Sequence, residues 1–406
     1  MTPDDETPDA RESALGAQKT ETPKTETPGG LQPANEQSDK KVGARDRHWL
    51  DDAGNGEGLP PIYGALDLGT NNCRLLLARP TRRGFRVIDS FSKIIRLGEG
   101  VSQTGTLSPA AMQRTYDALK VCAGKFQKHD VKRSRLVATQ ACRVAANGPS
   151  FIEEVRQRFA MPIEILTPET EAKLAVSGCA TLIDPSVDYV LVFDIGGGSS
   201  EIVWLDLTND GVRSGGPQGR PDAERAIMAW TSLPVGVVTL AEHFGGRHVT
   251  AESFEAMVNS VYGLIVPFEA QHKFSERLKS ARAHFLGTSG TVTTIAGVLL
   301  DLKRYDRNRV DGLWLKSGDI DRVTKRLASL SYEERVAEPC IGRERADLVL
   351  AGCAILEAIL RVWPGDRLRV ADRGLREGIL TALMTEDGVW RAGYRRRHVR
   401  GNFENG

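Results

Sequence analysis

Cysteine is scarce and unpatterned in this 406-residue chain. The six residues (Cys73, Cys122, Cys142, Cys179, Cys340, Cys353) form no CxxC pair and have no histidine at ligand spacing, which excludes a zinc ribbon and a dense disulfide frame. Long apolar runs are also missing. No stretch approaches the ~18 uninterrupted apolar residues of a membrane span, and the N-terminus opens Met1-Thr2-Pro3-Asp4-Asp5-Glu6, without the basic start and apolar run of a secretory signal. A cytoplasmic, membrane-independent protein is expected. Net charge is nearly absent, with 54 Lys plus Arg against 53 Asp plus Glu. No general field draws in polyanions, so nucleic acid is not expected as a partner and an anionic substrate must be held by a local site.

What is present is ordinary soluble composition, 40% hydrophobic with mean hydropathy −0.29, in a chain long enough for two cores. Residues 1–60 repeat Glu-Thr-Pro (Glu6–Pro8, Glu21–Pro23, Glu26–Pro28) and carry 13 acidic against 7 basic groups. They cannot bury enough apolar surface to offset the entropy of ordering, and a disordered acidic leader is expected. Residues 391–406 carry 5 basic groups and 1 acidic group. The arginines beside Tyr394 could grip polyphosphate or nucleic acid, but a solvated basic tail is the preferred reading.

Between them the pattern alternates. Ile62–Leu66 and Arg74–Ala78 read as strands around a Gly/Asn turn, with a third strand through Phe85–Leu97. Ser108-Pro109 and Thr167-Pro168 each place a hydroxyl cap before proline, opening helices that run through Phe126 and to about Gly178. Arg135–Ala138 and Pro162–Leu166 read as strands, and Ser150–Phe159 as a helix. The pattern then restarts. Ala65-Leu66-Asp67-Leu68-Gly69-Thr70-Asn71 is echoed by Val192-Phe193-Asp194-Ile195-Gly196-Gly197-Gly198, each leading into an apolar strand. Two similar halves, 61–178 and 179–390, are expected to face one another. The second continues with a helix over Phe254–Phe268, a strand over Ala283–Leu286, a helix to Leu300, a strongly apolar helix over Ala346–Val362, a strand over Arg367–Ala371 and a last helix over Leu375–Met384.

An Asp at a strand end followed by glycines leaves backbone N–H groups free to converge on phosphate oxygens, with the carboxylate facing a metal or water. Gly69-Thr70-Asn71-Asn72 and Gly196-Gly197-Gly198-Ser199-Ser200 both fit. Either loop alone could be a tight hairpin needing positive φ; their repetition favours a paired phosphate site. Gly287-Thr288-Ser289-Gly290-Thr291, between a strand and a helix, is a third anion-friendly turn, though Gly and Thr are also plain capping residues.

With Ala138-Thr139-Gln140-Ala141-Cys142-Arg143, Glu169-Thr170-Glu171-Ala172-Lys173-Leu174 and Ala371-Asp372-Arg373-Gly374-Leu375-Arg376-Glu377-Gly378, these loops resemble the exopolyphosphatase and guanosine pentaphosphate phosphohydrolase family, in order from about Tyr63 to Met384. The resemblance implies an α/β fold of duplicated ribonuclease-H-like, actin-like ATPase domains with the active site in the cleft. It further implies Glu171 as the water-activating acid, Glu201 as the second, Asp67 and Asp194 organising Mg²⁺, and Arg143 near the terminal phosphates. Arg74 is placed to join it, with a surface salt bridge equally open. Without the resemblance Glu171 is a first-turn helix acid and Glu201 an exposed residue alternating with buried Ile202; Arg373 and Arg376 lie in the last of these motifs, where Arg376 and Glu377 read as helix-face charges and substrate contact is not expected. His129-Asp130 lies in a polar connector and reads as a solvated loop.

The leading expectation is a Mg²⁺-dependent hydrolase releasing terminal phosphate from inorganic polyphosphate. Guanosine pentaphosphate is the rival substrate. A phosphotransferase using ATP and a non-catalytic polyphosphate or alarmone sensor are the other classes. Long family members carry an added helical domain after this core; with a short tail after Met384 a short, two-domain member is expected, and a homodimer accords with the family.

Overall fold

The computed structural model describes residues 60–216 and 221–390. The tail, and the leader apart from Pro60, lie outside the described residues. β1 (Tyr63–Leu68), β2 (Asn72–Thr81) and β3 (Gly84–Ile94) form an antiparallel meander. β4 (Arg133–Ala138) and β5 (Ile163–Ile165) add in parallel on the other side of β1, giving the order β3-β2-β1-β4-β5. The second sheet contains β6 (Tyr189–Ile195), β7 (Ser200–Asp206), β8 (Ile227–Leu233), β9 (Ala283–Thr288), β10 (Trp314–Lys316) and β11 (Arg367–Ala371), in the order β10-β11-β9-β6-β7-β8. With β6 in the place of β1, the strands β6, β7, β8, β9 and β11 repeat the same order and directions, and β10 is an added antiparallel edge. The repeat in sequence is therefore a repeat of fold, the duplicated ribonuclease-H-like, actin-like α/β architecture. β1 and β6 read as nearly continuous apolar runs because they are central and covered on both faces.

Both expected caps form. Ser108 Oγ accepts from Ala111 N at 3.2 Å and Thr167 Oγ1 from Thr170 N at 3.2 Å, each with proline opening the helix. The helices Pro109–Lys128 and Gly148–Phe159 help close the first core with Leu119, Phe151 and Val155. The Val349–Val362 helix, buried nearly all round, anchors the larger second core.

Two helices exchange sheets. Pro168–Cys179, from the first half, packs Ala172, Val176 and Cys179 against Val190, Val192 and Val203 of the second sheet. Leu375–Glu386, from the second half, packs Ile379, Leu380 and Met384 against Tyr63, Ala65 and Leu76 of the first. The linear division at 178/179 therefore does not describe where these helices pack. They cross in backbone contact: a Cβ on Gly178 would lie 1.9 Å from Gly374 O, and one on Gly378 1.9 Å from Leu174 O. The crossing brings the N-terminal turns of both helices, with Glu171 and Arg376, to the strand ends between the sheets.

Candidate active site

Each strand-end aspartate enters the same turn. Gly69 N donates to Asn72 O at 2.9 Å and Gly196 N to Ser199 O at 3.0 Å. The segment leaving the third strand of each half then pins the loop carbonyls. Ile95 N and Arg96 N bond Asn71 O and Gly98 N bonds Thr70 O in one half; Val237 N bonds Gly196 O and Val238 N bonds Gly197 O in the other. Both loops are tight hairpins between antiparallel strands, but none of Gly69, Gly196, Gly197 and Gly198 has positive φ, so a left-handed backbone does not account for the glycines. Close approach does for the second loop. A Cβ on Gly197 would lie 3.0 Å from Thr70 Cβ and 3.1 Å from Asn71 N, and one on Gly198 2.8 Å from Thr70 Oγ1. The bare second loop lets the polar side chains of the first nest against it. Thr70 and Asn71 are 4% and 8% exposed, and Thr70 Oγ1, Asn71 Oδ1 and Asn72 Oδ1 are buried without a hydrogen-bond partner. Buried orphan oxygens carry a desolvation cost, and a ligand supplying donors or a cation offsets it.

Four carboxylates meet here. Glu201 is 3% exposed, not an exposed alternating residue, and its Oε1 accepts from Ser232 Oγ at 2.8 Å. Burial raises its proton affinity, while Ser232, Ser199 and Arg143 oppose the rise. Glu171, in the first turn of its helix, is driven well above the usual carboxylate range by burial and then by Glu201, against the pull of Arg143. Asp194 is pushed up to about 7 by burial and Glu201, with Arg74 opposing. Burial also raises Asp67, held back by Arg74 and Arg376. Among the described residues, no group of three or more His, Cys, Asp or Glu side chains is placed to hold a metal ion.

The arginines divide. Arg143 Nη1 donates to Leu166 O at 2.7 Å and to Glu171 Oε2 at 3.1 Å, and its Nη2 and Nε both donate to Gln140 Oε1, at 2.6 and 3.0 Å. Of its five N–H groups this leaves about one, on Nη2, uncommitted, so Arg143 holds Glu171 before it can hold a phosphate. Arg74 lies opposite Asp67 on β2. Neither Arg74 nor Arg376 has a hydrogen-bond or ion-pair partner for its guanidinium among the described residues, and Arg376 faces Asp67 and Arg74. The helix-face reading therefore fails for Arg376. Arg373 is tied to Asp311, with Nε–Oδ2 at 3.0 Å, and to Thr181 Oγ1 at 2.7 Å.

The third turn is mixed. Ser289 has φ 112°, a strained value for a non-glycine residue, and its Oγ accepts from Thr291 N at 3.3 Å. Gly287 closes on Phe193 and Gly290 leaves open space. Two expected phosphate hydroxyls are used elsewhere, and a third lies against a glycine. Ser200 Oγ donates to Val235 O at 2.7 Å, Thr288 Oγ1 donates to Arg373 O at 2.7 Å, and Thr291 packs against Gly352. Sequence reasoning did not single out Ser232, Gln140 or Gly236. Gly236 is detectable only in three dimensions, since a Cβ there would lie 2.4 Å from Gly197 C.

Paired glycine loops and clustered acids between duplicated actin-like lobes define a phosphate-directed member of that fold class. The chain belongs to the Ppx/GppA phosphatase family, whose model matches residues 76–387. It is 27% identical over 340 residues to guanosine-5'-triphosphate,3'-diphosphate pyrophosphatase of Photobacterium profundum, covering 81% of this chain and 60% of that protein. The chain thus spans about 60% of the length of the curated relatives it matches. The Aquifex aeolicus Ppx/GppA family member is 28% identical with TM-score 0.63, covering 80% of this chain and 98% of that one. An exopolyphosphatase from Cytophaga hutchinsonii, 22% identical with TM-score 0.69 over 80% of this chain and 98% of that one, shares the fold. No described helix is long and apolar enough to cross a membrane.

Proposed function

We propose that this chain hydrolyses the terminal phosphoanhydride of inorganic polyphosphate, releasing orthophosphate. The observation that carries the reading is the meeting of Glu171 and Glu201 beside two apposed phosphate loops that hold buried, unpartnered oxygens. Beside the acids, the Thr70 hydroxyl, Arg74 and Arg376 supply the donors and positive charge that suit phosphate.

Glu171 accepts the proton of the attacking water. Its raised proton affinity makes it a stronger base than an exposed glutamate, and Arg143 opposes part of that rise. Glu201, fixed by Ser232, orients the same water. Asp67 and Asp194 offer hard oxygen donors from opposite lobes, which suits Mg²⁺, an ion that takes one or two carboxylates and fills its shell with water and phosphate. When bound, the ion offsets phosphate charge and the mutual repulsion of the acids.

Hydrolysis of guanosine pentaphosphate is the second reading, favoured by the name of the curated relatives. Phosphate release with Mg²⁺ is measured from each substrate for the wild type and Glu171→Gln. Release from polyphosphate that falls by about 10²–10⁴-fold in the variant is expected. Preference for the nucleotide selects the second reading, and a fully active variant removes Glu171 from the chemistry.

A further inference from the structure

The geometry points to Gln140 as a positioning residue that aims Arg143 at Glu171 and does so only when the lobes are closed; the inference rests on the role proposed above for Glu171. Gln140 opens the short Gln140–Val144 helix at the end of β4. Its single oxygen accepts both Arg143 Nη2–H at 2.6 Å and Nε–H at 3.0 Å, the two N–H groups along one edge of the guanidinium. With that edge occupied, Nη1 is turned to Leu166 O at 2.7 Å and Glu171 Oε2 at 3.1 Å. Leu166 is itself fixed by its N–H to Ala138 O at 2.9 Å, so the far end of the guanidinium meets a rigid acceptor. Arg143 is thereby clamped in a plane, and Glu171 receives one charged hydrogen bond of defined direction.

A planar cation next to polyanionic substrate has an obvious competing partner. Released from Gln140, its Nε/Nη2 edge is a two-pronged donor suited to phosphate oxygens. Rotation to reach them would withdraw Nη1 from Glu171. Gln140 occupies that edge and so keeps Arg143 on the base.

Gln140 is also the point where this apparatus touches the other lobe. Its Cγ lies 3.1 Å from where a Cβ on Gly198 would be, so the second phosphate loop packs directly over its stem. Opening the lobes would remove that wall and free the rotamers of a half-buried glutamine. Base orientation is therefore coupled to apposition of the loops, and Glu171 is set for proton transfer only around an enclosed substrate.

The test uses the full chain, Mg²⁺ and inorganic polyphosphate, with guanosine pentaphosphate run alongside. Gln140→Met keeps length and packing and removes the acceptor; Gln140→Glu restores an acceptor at the same reach. For Gln140→Met the expected result is kcat lower by about 10–100-fold with KM changed less than about 3-fold, as for loss of an orienting partner. Gln140→Glu is expected to recover to within about 10-fold of wild type. A crystal structure of Gln140→Met should show the Arg143 Nη1 to Glu171 contact broken at an unchanged melting temperature. Should the methionine variant fail to fold, Gln140→Ala takes its place. Unchanged kcat in Gln140→Met, a loss confined to KM, equal losses in the Met and Glu variants, or an intact Arg143–Glu171 contact each overturns the inference. If Glu171→Gln abolishes release while Gln140→Met stays active, only the inference fails. If Glu171→Gln stays active, or neither substrate is cleaved, the reading of Glu171 fails and the inference falls with it.

Discussion

The two halves place opposite charges at equivalent positions. On β1 and β2, Asp67 lies directly across from Arg74; on β6 and β7, Asp194 lies directly across from Glu201. In both, the partner stands seven residues after the aspartate. The cation in the first lobe tempers Asp67, whose largest opposing influence is Arg74. The acid in the second lobe does the reverse and helps push Asp194 up to about 7. The loops differ in the same sense. The first contributes Thr70, Asn71 and Asn72 side chains; the second contributes bare Gly196, Gly197 and Gly198, with Ser199 facing Glu201. One repeated layout thus yields a lobe with a cation and polar side chains at its strand end and a lobe with concentrated negative charge, matching the roles proposed above for phosphate and for a cation with water.

Removing the differing residue from each lobe should separate these tasks. Glu201→Gln is expected to lower kcat by about 10²–10⁴-fold with little change in KM. Arg74→Gln is expected to raise KM by about 10–100-fold, the worth of a charged hydrogen bond to phosphate, with a smaller loss of kcat. Steady-state kinetics of phosphate release check both. The same signature in both variants would mean that the lobes share one task.

The glycines sharpen the contrast. A Cβ on Gly196 would lie 2.7 Å from Ser199 O, a backbone atom that cannot yield cheaply, whereas one on Gly69 would lie 3.4 Å from Asn72 O. Gly196→Ala is expected to destabilise by about 1–3 kcal/mol and to lower kcat/KM at least about tenfold. Gly69→Ala is expected to stay within about threefold of wild type. Denaturant unfolding and initial rates measure the difference.

Acid crowding in the second lobe also has a stability consequence. Asp194 binds its proton more tightly folded, at about 7, than at its ordinary 3.8. Its contribution is therefore complete below about pH 4 and is lost as pH rises through 7. Buried His284, lowered to about 4, acts oppositely: its contribution is present above about 6.5 and is lost as pH falls toward 4. The interval from pH 6.5 to 8 isolates the acids. There the metal-free protein should melt lower as pH rises, Asp194→Asn should flatten the trend, and Mg²⁺ with polyphosphate should reverse it. Scanning calorimetry at fixed ionic strength reads all three.

Much of this was legible in the chain. The echo of Asp67–Asn71 in Asp194–Gly198 disclosed the duplication, and the Ser108-Pro109 and Thr167-Pro168 caps placed two helices. β8 was missed although it is the counterpart of the predicted third strand of the first half, because Ile227–Leu233 is half-buried and lacks alternation. The exchange of the two crossing helices could not be read, since Gly178 and Gly378 are 200 residues apart and only their contact explains them. At the site, residue type located the acids and loops. It could not say that Arg143 is turned to Glu171, or that Ser200, Thr288 and Thr291 use their hydroxyls and surfaces elsewhere, because those depend on side-chain direction.

The smallest effect concerns how the unequal lobes are held together. Arg96, at φ 48°, donates its backbone N–H to Asn71 O of the first loop and sends its guanidinium across to Asp347, with both N–O distances at 2.8 Å. Nearby, Glu242 accepts from Gly100 N at 2.8 Å and from Ser102 Oγ at 2.5 Å. These ties join the Gly69–Asn72 loop to the acid-bearing lobe at partly exposed positions, where an ion pair is worth about 0–1 kcal/mol. Arg96→Ala or Asp347→Asn should therefore raise KM only about 2–5-fold, leave kcat nearly unchanged, and make that KM rise less steeply with added salt than the wild type's. A large fall in kcat would instead show that closure of the lobes, and not chemistry at Glu171 and Glu201, limits turnover.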